Sequence, residues 1–116
     1  MKSDQEFVDS LVRVVKRNYT DPNFGISSMA GEMTISDRQL QRKVKALTGQ
    51  SPVQYLRQFR LEKSLQYLRE GVPVGKAAKA VGFSSHTYFT SCFRAQFGTT
   101  PSSAKWSQES ATMAEY

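Results

Sequence analysis

Apolar side chains recur at helical spacing from the start of the chain. Phe7, Val8, Leu11, Val14 and Val15 predict a helix over about 6–19, which Asp21-Pro22-Asn23 ends. Ile26, Met29, Ala30 and Met33 form the apolar side of a short helix near 27–33, and Thr34-Ile35 makes a tight turn after it. Ser36 then opens a helix as a capping box. Its hydroxyl can accept from the Gln39 amide while the Gln39 side chain reaches back, and Gly49 stops the helix in a left-handed cap. Ser51-Pro52, with Gln54 at the box position, starts another helix that runs to about residue 70 and breaks at Gly71-Val72-Pro73. At 1.5 Å per residue it is roughly 28 Å long, far longer than its neighbours, and reads as a spacer. A short helix near 75–81, a turn at Gly82-Phe83-Ser84, a helix over about 85–97 ending at Gly98, and a last helix after Thr100-Pro101 complete the pattern. The fold class is all-α with about seven helices. Residues 107–116 are small and polar without periodicity, which predicts a disordered tail.

The pattern repeats. Ile26, Ala30, Met33, Ile35 and Ser36 are matched 48 residues later by Val74, Ala78, Val81, Phe83 and Ser84. With one extra residue after Ser84, Leu40, Val44, Lys45, Gly49 and Pro52 are matched by Phe89, Phe93, Arg94, Gly98 and Pro101. Each copy is a short apolar helix, a turn and a longer helix with a polar face, the layout of a helix-turn-helix. The expected organisation is one DNA-binding domain over 1–106, with two helix-turn-helix subdomains at about 26–49 and 74–98 joined by a linker helix at about 52–70. Leu40, Val44 and Leu47 at i, i+4 and i+7 must face inward, so Arg38, Gln41, Arg42 and Lys45 face out. Arg can donate a bidentate pair to guanine and Gln can pair with adenine, while Lys45 suits a phosphate. In the second copy Phe89, Cys92, Phe93 and Phe97 turn inward, leaving His86, Thr87, Thr90, Ser91 and Arg94 outside on a less basic face.

Charge names the partner class. Sixteen Lys and Arg against ten Asp and Glu leave +6, which favours a polyanion. Residues 1–35 carry four basic and five acidic side chains, and residues 36–70 carry eight and three. Between 71 and 108 there are four basic residues and no acid to repel a phosphate backbone. The lone Cys92 excludes an internal disulfide, and with the lone His86 it cannot make four-coordinate zinc, so no metal or other cofactor is expected. This cysteine usage suits a reducing cytoplasm, and no run reaches the roughly 18 apolar residues of a membrane span.

Other functions find little support. No paired carboxylates or catalytic triad can be assembled, so no enzyme is expected. Cys92 between Phe89 and Phe93 reads as a packing thiol. His86 is either a surface residue at a helix start or a DNA contact. Gly71-Val72-Pro73-Val74-Gly75-Lys76-Ala77 is one residue short of a phosphate loop and lacks the hydroxyl that would hold magnesium. Tyr55, Tyr88, Phe89, Phe93, Phe97 and Trp106 have core spacing rather than the layout of a stacking platform for single strands. A helical protein-interaction adaptor and a non-specific nucleic-acid binder are the competing readings.

Several blocks in one order resemble the DNA-binding domain of the AraC/XylS family: Leu40-Gln41-Arg42-Lys43, Thr48-Gly49-Gln50-Ser51-Pro52, Tyr55-Leu56-Arg57, Arg60-Leu61, Val81-Gly82-Phe83-Ser84-Ser85, Tyr88-Phe89 and Phe97-Gly98-Thr99-Thr100-Pro101. The resemblance covers about 7–106. It implies seven helices, two reading helices in successive major-groove segments of double-stranded DNA, and contact with RNA polymerase where a member activates transcription. It carries base contacts to Arg38, Gln41 and Arg42, then to His86, Thr87, Thr90 and Ser91. It also implies attachment to a sensor or receiver domain in a longer parent chain. The sequence departs from the family pattern at Ser91, where relatives have a basic or bulky polar residue, at Thr34, where they have glycine, and at Lys105-Trp106, where they have Tyr-Arg.

Overall fold

A computed structural model describes residues 3–104; the expectations for Lys105, Trp106 and the 107–116 tail lie outside the described residues. Six helices follow in order: α1 (Asp4–Asn18), α2 (Ile26–Glu32), α3 (Asp37–Thr48), α4 (Pro52–Arg69), α5 (Val74–Ala80) and α6 (His86–Phe97). Helical backbone resumes over 101–104, where the Thr100 hydroxyl accepts from the Ser103 amide at 3.1 Å. Among the described residues the fold is all-α.

Several boundaries move by one or two residues for local reasons. Helix α1 starts at Asp4 rather than near residue 6, because Ser3 is its cap and accepts from the Glu6 amide. Asp4 and Glu6 in its first turn and Lys16 and Arg17 in its last complement the helix dipole. Helix α2 spans 26–32 instead of 27–33, and α5 spans 74–80 instead of 75–81. In both, the expected last residue, Met33 or Val81, is the C-cap that begins the turn. The capping box at Ser36 forms in both directions, and a second joins Ser51 to Gln54. Gly49 takes the left-handed conformation at φ 78°, open to glycine at no steric cost.

One correction bears on the repeat. The cap of α6 is Ser85, whose hydroxyl accepts from the Tyr88 amide at 3.1 Å, and not Ser84. The inserted residue therefore lies in the turn, and the second repeat runs at an offset of 49 from its cap onward: Ser36 corresponds to Ser85 and Gly49 to Gly98. Ahead of the insertion the turns match at 48. Ile35 N donates to Ala30 O at 3.1 Å and Phe83 N to Ala78 O at 3.0 Å, while Thr34 at φ 57° matches Gly82 at φ 95°.

The chain divides into two compact units, Met1–Phe59 and Arg60–Tyr116. The core of the first holds Phe7, Leu11, Val15, Met29, Leu40, Val44 and Leu56, with Tyr19 edge-on to Phe59 at 5.3 Å. That of the second holds Leu61, Leu68, Val81, Phe89 and Phe93. Rings step through it from Phe83 to Phe89, Phe93 and Phe97 at centroid distances of 5.1, 5.8 and 4.6 Å. At about 1.5–3 kcal/mol for each fully buried large apolar side chain, these two clusters are the main source of stability in each unit. The core assignments hold for Leu40, Val44, Phe89, Cys92 and Phe93, while Leu47 and Phe97 are half-buried. Tyr88 departs from the expected core position: it is 52% exposed, because it sits about 100° around α6 from Phe89, with its ring tilted against Phe83 at 6.0 Å. No helix of the described residues is long and apolar enough to cross a membrane.

Candidate nucleic-acid interface

Helix α3 presents the polar face that its sequence implies. Leu40 and Val44 are fully buried, so Arg38, Gln41, Arg42 and Lys45, at i, i+3, i+4 and i+7, share the opposite side and are all exposed. The buried positions pin the helix by its apolar edge, and the capping box fixes where its first turn begins. Asp37 in that turn accepts from the Ser27 hydroxyl at 2.9 Å and ties α3 to the start of α2. Lys45 Nζ donates to Gly49 O at 2.9 Å, which satisfies a terminal helix carbonyl and leaves two ammonium protons for a phosphate.

The offset of 49 places Thr87, Thr90, Ser91 and Arg94 where α3 carries Arg38, Gln41, Arg42 and Lys45. With His86 they line one open surface depression of about 510 Å³. All are exposed except Thr90, which is half-buried. The imidazole of His86 lies against the start of α5, its Nδ1 3.6 Å from where a Cβ on Gly75 would stand. Gly75 and His86 occupy the places of Ser27 and Asp37, so the second unit exchanges an acid-bearing contact for an imidazole packed on bare backbone.

Two features escaped the sequence. Lys43, next to the reading positions, sits with Nζ 4.9 Å above the centroid of the Phe7 ring, a contact between residues 36 apart in sequence. Arg17 pairs with Glu32 at 2.7 Å across α1 and α2; at this exposure it contributes no more than about 1 kcal/mol. Neither has a local sequence signature, since each depends on how α1 docks. No group of three His, Cys, Asp or Glu side chains that could hold a metal occurs among the described residues.

A helix-turn-helix domain family matches residues 29–105. The transcriptional activator RhaR of Pectobacterium atrosepticum is 32% identical over 101 residues, covering 86% of this chain and 35% of RhaR. This chain spans less than half the length of the curated relatives it matches. The structure is similar to a transcriptional regulator with an AraC-type DNA-binding domain from Chromobacterium violaceum, at a TM-score of 0.83 and 28% identity over 90% of this chain and 93% of the other. It is also similar to the C-terminal domain of the two-component response regulator yesN from Fusobacterium nucleatum, at 0.80 and 25% over 85% and 97%. Two helix-turn-helix units with matching caps, turns and outward faces, and a family match over both, make this chain a member of the AraC family of helix-turn-helix regulators.

Proposed function

We propose that this chain binds a specific duplex DNA sequence and regulates transcription, inserting α3 and α6 into major-groove segments. The observation that carries this reading is the repetition of one outward face, 38/41/42/45 on α3 and 87/90/91/94 on α6, each behind a serine cap. Arg38, Gln41 and Arg42 read base edges and Lys45 grips a phosphate; Arg94 does the same on α6, while His86, Thr87, Thr90 and Ser91 make shorter contacts. The work is recognition rather than turnover, carried out in the cytoplasm where a bacterial chromosome lies.

Activation through contact with RNA polymerase agrees with the role named for RhaR. Attachment to a sensor or receiver domain agrees with the response regulator that shares the fold and with the greater length of the relatives.

Selection of bound duplexes from a random pool tests the proposal. A single enriched motif, with affinity falling steeply as salt rises, is expected. A pool that stays random, or an affinity indifferent to salt, refutes it.

A further inference from the structure

Behind the reading face, the first unit holds a pocket of about 550 Å³ between α1, the turn after α2, and α3. This lies within the roughly 300–1,000 Å³ of small-molecule sites. Its apolar wall is Phe7, Met33, Ile35 and Ala46. Arg42 and Lys43 supply its charge, and no acidic side chain lines it. Gln39 also lines it, but its Oε1 already accepts from Ser36 N and Oγ at 3.0 and 3.3 Å, so the group it has left to offer is the Nε2 donor. Guanidinium and ammonium are likewise donors without an acceptor.

An apolar wall beside converging donors of positive charge selects a ligand with an apolar body and an anionic head. We propose that this pocket binds a small amphipathic carboxylate, its chain against Phe7, Met33 and Ile35 and its head between Arg42 and Lys43. Arg42 offers the planar fork that a carboxylate accepts in bidentate fashion. The second unit is a built-in control. At an offset of 49 the positions of Gln39, Arg42 and Lys43 are held by Tyr88, Ser91 and Cys92, so the cationic side is missing there.

The consequence for DNA rests on the reading role proposed for Arg42, although binding of the carboxylate does not. One guanidinium cannot serve a carboxylate in the pocket and a guanine in the groove at once. Ligand and DNA therefore oppose one another, each weakening the other by the same factor.

The test uses the 116-residue chain with decanoate below its micelle-forming concentration and decanol as the uncharged control. Saturable NMR shifts are expected at Phe7, Met33, Ile35 and Ala46, with decanoate well ahead of decanol and α6 unmoved. Lys43→Gln should weaken decanoate by about tenfold, the weight of one charge-assisted hydrogen bond. Ala46→Phe should fill the site and abolish the shifts, with an unchanged melting temperature confirming that the fold survives. Decanol acting as well as decanoate, or equal shifts in α5 and α6, would overturn the site. Pocket shifts with an unchanged affinity for the selected duplex would overturn the coupling alone. Failure to select any duplex would overturn the DNA reading and leave the shift measurement to decide the site.

Discussion

Thr34 is the one non-glycine described residue with a positive φ, at 57°. A β-branched side chain there costs roughly 1–2 kcal/mol, and a hydrogen bond from its Oγ1 to Met33 O at 2.7 Å offsets part of it. The matching turn uses Gly82, at a φ of 95° that suits glycine still better. Thr34→Gly should therefore stabilise the first unit, by less than about 1 kcal/mol, because glycine gives back some of the gain as unfolded-chain entropy. Gly82→Thr should destabilise the second by more than about 1 kcal/mol. Thermal melting of both variants checks the pair, and two shifts of the same sign would contradict it. The Thr34 departure from glycine was visible in the chain, but its strain was not, since φ is fixed only once Ile35 N bonds Ala30 O and closes the turn.

At the scale of elements, legibility follows amphipathicity. Helix α3 shows a clean apolar stripe, so its face and both ends could be read in advance. Helix α4 does not: its buried positions are Pro52, Leu56, Leu61, Ser64 and Leu68, a sequence of steps that drifts around the helix and takes in a serine. Ser64 is tolerated there because its hydroxyl donates to Leu61 O at 2.6 Å. Its start was nonetheless clear from Ser51-Pro52, a local cap signal that does not depend on the face. The repeat pairs Ser36 with Ser84 rather than with the true cap Ser85 because the two serines are chemically identical, and only the bond to the Tyr88 amide tells them apart. Ser85→Ala should cost about 0.5–2 kcal/mol, as loss of an N-cap does. Ser84→Ala, on an exposed turn position, should stay within about 0.5 kcal/mol. Denaturant unfolding of the two variants decides it, and the reverse order would return the cap to Ser84.

For the molecule as a whole, the two reading faces occupy the same positions with different chemistry. Helix α3 carries Arg38, Gln41, Arg42 and Lys45, groups long enough to span a groove and rich in donors. Helix α6 answers with Thr87, Thr90, Ser91 and Arg94, of which Arg94 alone is long and charged. The first unit should then supply most of the sequence discrimination, and the second should mainly hold position. A bidentate Arg–guanine contact is worth about 1–3 kcal/mol of discrimination, so Arg42→Ala should relax preference at one or two base pairs. Lys45→Ala should weaken all duplexes alike and flatten the salt slope by about one unit. It should also lose a little stability, since Nζ holds the Gly49 carbonyl. Ser91→Ala should change little, because a short hydroxyl reaches a base edge poorly and no guanidinium stands at the α6 position that matches Arg42. Selection on the three variants at one salt concentration separates these outcomes. Should Ser91→Ala alter the preferred bases while Arg42→Ala leaves them intact, α6 would be the principal reader, and the donor-rich face of α3 would serve the phosphate backbone instead.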